Sequence, residues 1–202
     1  MSYNFRYRQF AQALYHALKE DPFYITMEAS MDDGSAEEGM LRYLDYSIQE
    51  AATYGELFIP KGQESGISVW SKPIEMKLSQ KKNRQKKDFI NRYMGRNSLA
   101  TYSDIVRFMS EKSAFLISDR YWYLSIVGVL PDYQGKGLGI KLVDNILQHT
   151  DDAKIPTYLE TFTPRNMTFY NRLGYQVLDS FSEPTTGAKY WLMSRAINRR
   201  QT

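Results

Sequence analysis

Three glycines stand in the run Gln134-Gly135-Lys136-Gly137-Leu138-Gly139, and the segments on either side give them a chemical use. Trp122 to Leu130 is an apolar, β-branched stretch that predicts a buried strand. Beyond the glycines, Leu142, Val143, Ile146 and Leu147 share one face of a predicted helix. A turn that leaves a strand and opens a helix presents unpaired backbone N–H groups and the positive end of the helix dipole. Glycines there remove side chains that would hold an anion away from those donors, and Lys136 adds a full charge. The predicted ligand is a phosphate or pyrophosphate.

Spacing narrows the choice. A dinucleotide fingerprint reads G-x-G-x-x-G, whereas this loop reads G-x-G-x-G, and a Walker loop needs Ser or Thr where Gly137 follows Lys136. The loop resembles the acyl-CoA pyrophosphate loop of GNAT-type N-acetyltransferases, Gln/Arg-x-x-Gly-x-Gly/Ala, with Gln134, Gly137 and Gly139 in the patterned places. Downstream, Ile155 to Thr161 predicts a second strand. The segment from Asn166 through Tyr170 to Gly174-Tyr175 then resembles the superfamily's second signature, Asn-x-x-x-x-Tyr-x-x-x-Gly-Phe. One residue fewer separates Asn from Tyr, a spacing many members share, and Tyr175 takes the Phe place.

The chain also resembles the puromycin N-acetyltransferase-like branch at Ala17 to Tyr24, Gly66 to Trp70, Trp122-Tyr123-Leu124 and Tyr158 to Thr161. That branch often carries His just before Trp-Tyr-Leu. Here the position is Tyr121, so no role of that His is carried over.

The resemblance implies transfer of the acetyl group of acetyl-CoA to a primary amine by direct attack in a ternary complex. Backbone amides of Gln134, Gly135, Lys136, Gly137, Leu138 and Gly139 are expected to hold the pyrophosphate. Main-chain groups of Val127, Gly128 and Val129 are expected to pair with the pantetheine arm where the central strand splays from its parallel neighbour; plain core packing is the alternative for their side chains. One such N–H could also polarise the thioester carbonyl. Tyr170 matches the tyrosine near the coenzyme A sulfur and is the candidate general acid, against the alternative of a Tyr on a buried helix face. Proton donation from a phenol near 10 to a thiolate near 8.5 is uphill by roughly 2 kcal/mol. Hydrogen bonding to the developing thiolate is therefore an equal possibility. Asn166 would bond the pantetheine amides or cap its helix. Glu160 is the candidate general base: a strand alternates faces, and burial among Trp122, Tyr123 and Tyr158 would raise its pKa. A structural pairing with Arg165 or another base, and a water chain as base, are the alternatives, with Tyr123 and Ser125 as weaker candidates for orienting that water.

These groups require particular elements. Phe10, Ala13, Leu14, Ala17 and Leu18 predict a helix ending before Pro22, and residues 32–38 a polar loop. A helix is predicted over 38–53, a hairpin from 56–59 and 67–70 joined through 61–65, and helices over 78–93 and 102–115. The C-terminal third alternates strand and helix, closing on Tyr190 to Met193. The expected class is α/β (α+β): a GNAT-type mixed central sheet with splayed parallel strands, flanked by helices, with extra N-terminal helices. One domain is expected over 1–202, with 1–118 the variable acceptor-side half and 119–202 the acetyl-CoA-binding core.

The 202 residues, 43% hydrophobic and 14% aromatic, suffice for one substantial core. A net charge of +3 is too slight to argue for nucleic acid. The basic run Lys81 to Lys87 precedes Phe89, Ile90 and Tyr93 at helical spacing and reads as a solvated face. The absence of cysteine excludes disulfides, thiolate zinc sites and an acetyl-cysteine intermediate. No metal is expected, and neither His16 nor His149 has ligand neighbours. Without an apolar leader or an 18-residue apolar run, the expected location is cytoplasmic and no membrane partner is expected. The expected partners are acetyl-CoA and a small-molecule amine, with a homodimer left open. Protein N-terminal or lysine acetylation, and a non-catalytic acyl-CoA-binding module, are the competing functions.

Overall fold

The computed structural model describes residues 3–31, 36–61 and 65–197. Helices α1 (Arg8–Leu18), α2 (Pro22–Ala29) and α3 (Ala36–Tyr54) precede the hairpin β1 (Gly55–Phe58) and β2 (Gly66–Ser71). Helices α4 (Met76–Tyr93) and α5 (Arg96–Ser113) lead to β3 (Trp122–Val129), α6 (Leu138–Asp152), β4 (Thr157–Thr161), α7 (Met167–Arg172), β5 (Gln176–Glu183) and β6 (Ala188–Arg195). The six strands form one mixed sheet in the order β1-β2-β3-β4-β6-β5, in which only β3 and β4 pair in parallel. This is the expected class.

Two elements differ from the sequence expectation. Residues 22–29, to which the sequence expectation assigns no element, form α2: Asp21 caps it by accepting from Phe23 N at 2.9 Å, with proline at the first helical position, where no N–H is needed. Helix α5 begins at Arg96, six residues before the expected start, directly after Gly95 at φ +97°. The loop expected over 32–38 is helix from Ala36, and 32–35 lie outside the described residues, as do 62–64 of the expected hairpin connection.

The sheet is covered on both faces. Ile67, Val69 and Ile126 join α1, α3 and α4 in one apolar cluster, while Trp70, Leu124, Leu142, Leu147 and Tyr170 join α6 and α7 in another. The faces change along β3 because of a bulge. Val69 pairs with Ile126 and Trp70 with Leu124, so Ser125 has no opposite residue. Before it Leu124 faces α6; after it Val127 and Val129 do, and Ile126 and Gly128 turn to α1. Gly128 is glycine for that reason, since a Cβ would run into Leu14 Cδ2.

Candidate functional site

Strands β3 and β4 pair only at Trp122–Thr157 and Tyr123–Tyr158. Beyond Tyr123 they separate, leaving a gap through the middle of the sheet. The Gly128 carbonyl is turned to Gly66 of β2, and Leu130 N donates to Ser65 O at 2.9 Å. By strand alternation the main-chain groups of Val127 and Val129 open into the gap, and those of Gly128 do not. This corrects the expected set: Gly128 serves the β2 ladder and α1 packing, and two of the three residues remain available.

The glycine loop opens α6. Gly135 and Gly137 have φ of +73° and +71°, and a Cβ on either would meet nothing within 4 Å. Backbone conformation, rather than crowding, demands glycine at these two places. Gly139 differs, because its missing side chain lets Phe169 approach to 3.1 Å of where a Cβ would stand. Gly137 is the N-cap residue and α6 has no side-chain cap. Helix geometry leaves the amides of Gly137, Leu138, Gly139 and Ile140 without intrahelical partners. Those of Gly135 and Lys136 enter no backbone hydrogen bond among the described residues. Gln134 departs from expectation, since its N–H donates to Pro131 O at 3.2 Å and its Nε2 to Val129 O at 3.0 Å. Lys136 Nζ donates to Asp132 O at 2.9 Å, over the Tyr133 ring. An open row of amides at a helix N-terminus, with a lysine beside it, suits a diphosphate.

A cavity of about 810 Å³ runs from the gap to the N-terminal helices. Tyr170, Asn166, Val127, Glu160, Tyr123, Tyr43 and Glu50 are among the residues that line it. Tyr170 is buried, its phenol pKa raised by burial and then by the Asp21 charge. Asn166 caps α7 in position only: its side chain makes no capping hydrogen bond. Glu160 has its strand neighbours Leu159 and Thr161 buried on the opposite face. Burial raises its pKa to about 8, and the Tyr123 phenol, favouring the charged form, opposes the rise. Its buried Oε1 has no partner. Arg165 instead pairs with Glu20 at 3.0 Å on the surface, so it is not the partner of Glu160. Ser125 donates to Val69 O at 3.0 Å, so its hydroxyl is engaged. A carboxyl that titrates near neutral pH, facing a cavity that meets an amide-lined anion site, could accept a proton from an amine.

The match to a known family falls on this region. Residues 103–177 match the family model described as Acetyltransferase (GNAT) domain. Over those residues the chain is similar to GNAT acetyltransferase domains. The protein is an acyltransferase enzyme, and the matched domain implies acetyl-CoA as acyl donor. An uncharacterized N-acetyltransferase of Schizosaccharomyces pombe is 23% identical over 180 residues, covering 84% of this acetyltransferase and 70% of the relative. Two solved structures share the fold. One is a Corynebacterium glutamicum protein described as histone acetyltransferase HPA2 and related acetyltransferase, with TM-score 0.60, 17% identity, and coverage of 96% of this chain and 92% of that one. The other is arylalkylamine N-acetyltransferase 2 of Aedes aegypti, with TM-score 0.55, 12% identity, and coverage of 96% and 98%.

Three cavity residues of the acetyltransferase were not singled out from sequence. Asp21 sits inside the branch-like segment at 17–24, and a Ser, Thr, Asp or Asn before Pro is a helix-start signal. Glu50 carries no sequence signal beyond its helical face. Lys86 was assigned to a solvated run, yet it is buried while Lys81, Lys82 and Lys87 are exposed or partly so. Its Nζ donates to Ser47 Oγ at 2.7 Å.

Proposed function

We propose that the enzyme acetylates the primary amine of a small molecule, in one domain whose residues 119–202 hold acetyl-CoA and whose residues 1–118 form the acceptor side. The observation that carries this reading is the cavity itself: about 810 Å³, lined by residues of α2, α3, α4, α5 and the sheet, and reaching Glu160 and Tyr170 at the strand gap. Such a volume and an aromatic lining suit a drug-sized ligand rather than a peptide laid along a surface. The resemblance at 17–24 and 66–70 supports placement in the puromycin N-acetyltransferase-like branch, without implying puromycin as substrate.

In this reading acetyl-CoA supplies an activated acetyl thioester. The free amides from Gly135 to Ile140 hold its pyrophosphate, with Lys136 released from Asp132 O to add its charge. The main-chain groups of Val127 and Val129 hold the pantetheine arm, and Gln134 must release the Val129 carbonyl for that to happen. Asn166, free of a capping bond, donates to a pantetheine amide. Glu160 takes the amine's proton, directly or through one water, and its pKa of about 8 makes it a stronger base than an exposed carboxylate. The amine nitrogen bonds the acetyl carbon, the carbon–sulfur bond breaks, and the electron pair leaves on sulfur. A phenol pKa raised by burial makes Tyr170 a poor proton donor, so its hydroxyl hydrogen-bonds the departing thiolate. The proton reaches sulfur from the newly acylated ammonium or from Glu160.

The test is thiol release from acetyl-CoA across a panel of small primary amines and N-terminal peptides. Turnover of small amines with low KM, and of peptides only weakly, is the expected result. Efficient turnover confined to peptides would replace this reading with protein acetylation.

A further inference from the structure

Glu50 stands on one face of α3 with Tyr43, Ser47 and Tyr54, and all four line the cavity away from the strand gap. Its Oε1 is buried and has no hydrogen-bond partner. A buried acceptor left unpaired costs free energy that a ligand donor would recover. Lys86 reaches the same wall from α4. Its Nζ lies 4.4 Å from the centroid of the Tyr43 ring and 5.0 Å from that of Tyr46. The ammonium has three donors and Ser47 takes one, so donor capacity remains toward the cavity. No direct ion pair joins Glu50 to Lys86 among the described residues, though the Glu50 charge opposes the lowering of the Lys86 pKa by burial. An acceptor and a donor therefore line one cavity without a direct bond between them.

We infer that this end of the cavity recognises an amide on the acceptor molecule, whose N–H donates to Glu50 Oε1 and whose carbonyl accepts from Lys86 Nζ. The inference rests on the cavity being the acceptor site. A second ammonium would meet Glu50 but would also face the Lys86 cation, and a carboxylate would meet Lys86 but face Glu50. A neutral group carrying both a donor and an acceptor is the complement of the pair. The amide and the reacting amine are then at opposite ends of one molecule, with Tyr43 and Tyr123 along its body.

The experiment compares two series of primary alkylamines of increasing length, one ending in a carboxamide and the other in a methyl group of matched size. A third arm extends the carboxamide by a peptide chain, which separates a free small molecule from a peptide end. The readout is the ratio of kcat/KM between matched members, measured by thiol release in wild type, Glu50→Ala, Glu50→Gln and Lys86→Met. The ratio is internal to each variant, so a folding defect that lowers both rates leaves it unmoved. Wild type should favour the carboxamide by at least about tenfold, through KM. The ratio should fall to about twofold or less in Glu50→Ala and lie between these in Glu50→Gln and Lys86→Met. A wild-type ratio near one, an unchanged ratio in Glu50→Ala, or preference for diamines of the same length would overturn the inference while leaving the acceptor cavity intact. Turnover of none of the amines would overturn both.

Discussion

Thr163 Oγ1 donates to Asp21 Oδ2 at 3.1 Å, a bond between residues 142 positions apart in sequence. It joins the N-cap of α2 to the turn that launches α7 and Tyr170. Asp21 is mostly buried, its pKa raised by desolvation and held back by the donors of Phe23 and Thr163. Asp21→Ala should cost about 1–2 kcal/mol of stability, from the lost cap and the orphaned hydroxyl. It should also lower kcat by loosening Tyr170. Chemical denaturation and steady-state kinetics check both, and Asp21→Asn, which retains a capping oxygen, should recover most of the stability. An Asp21→Ala protein as stable as wild type would remove this tie.

With Glu160 as the proposed base, activity and stability should respond to pH in opposite directions. As a base it must be ionised, so kcat/KM should rise as pH climbs through about 8. Its folded pKa lies above its unfolded value, so the folded state holds the proton more tightly. The stability this gives is full below the unfolded pKa and is lost as pH rises from about 4.5 to about 8. Glu160→Gln should therefore lose about 10²-fold or more in kcat/KM. Relative to wild type it should gain stability, on the order of 4 kcal/mol, between pH 5 and pH 9. Thermal unfolding at several pH values reads the second effect without any substrate.

Tyr170→Phe removes one hydroxyl and keeps the ring that packs with Phe169 and Tyr175. If that hydroxyl bonds the departing thiolate, kcat should fall by about 10²-fold with the KM for acetyl-CoA within about twofold. Poorer leaving thiols should suffer more. Equal losses for all acyl thioesters would point to a packing role.

Gly137→Ala tests the anion site. The added methyl meets open space, so the cost is that of holding a left-handed backbone, about 1–2 kcal/mol. The loop should relax and misdirect its amides, weakening acetyl-CoA binding measured by calorimetry. Gly139→Ala should act differently, by pushing on Phe169 beside Tyr170 and lowering kcat. Unaltered acetyl-CoA affinity in both variants would move the pyrophosphate elsewhere.

Patterns confined to a short stretch of chain could be read before folding. The strand–glycine–helix order of 122–152, the Asn166–Tyr170 helix and the period of α1, α3 and α4 are local. Each follows from backbone preferences and from which face of an element is apolar. The facing of Glu160 away from Leu159 and Thr161 also follows from strand alternation once β4 is recognised. What tertiary structure alone decided involves partners distant in sequence. The bulge at Ser125 arises from the register with β2, and it reverses which of the 126–129 side chains face α1. The same register assigns Gly128 to the ladder and leaves Val127 and Val129 open. Lys86 looks like its four basic neighbours in the run 81–87, but α4 packs so that this one ammonium meets Ser47 and Tyr43. Asp21 and Thr163 become neighbours only when helices from the first half close over the sheet of the second, and Ser47 and Lys86 only when α3 and α4 pack together. Sequence periodicity specifies which face of an element turns inward, whereas the inter-element packing that builds a cavity depends on how all those faces fit at once.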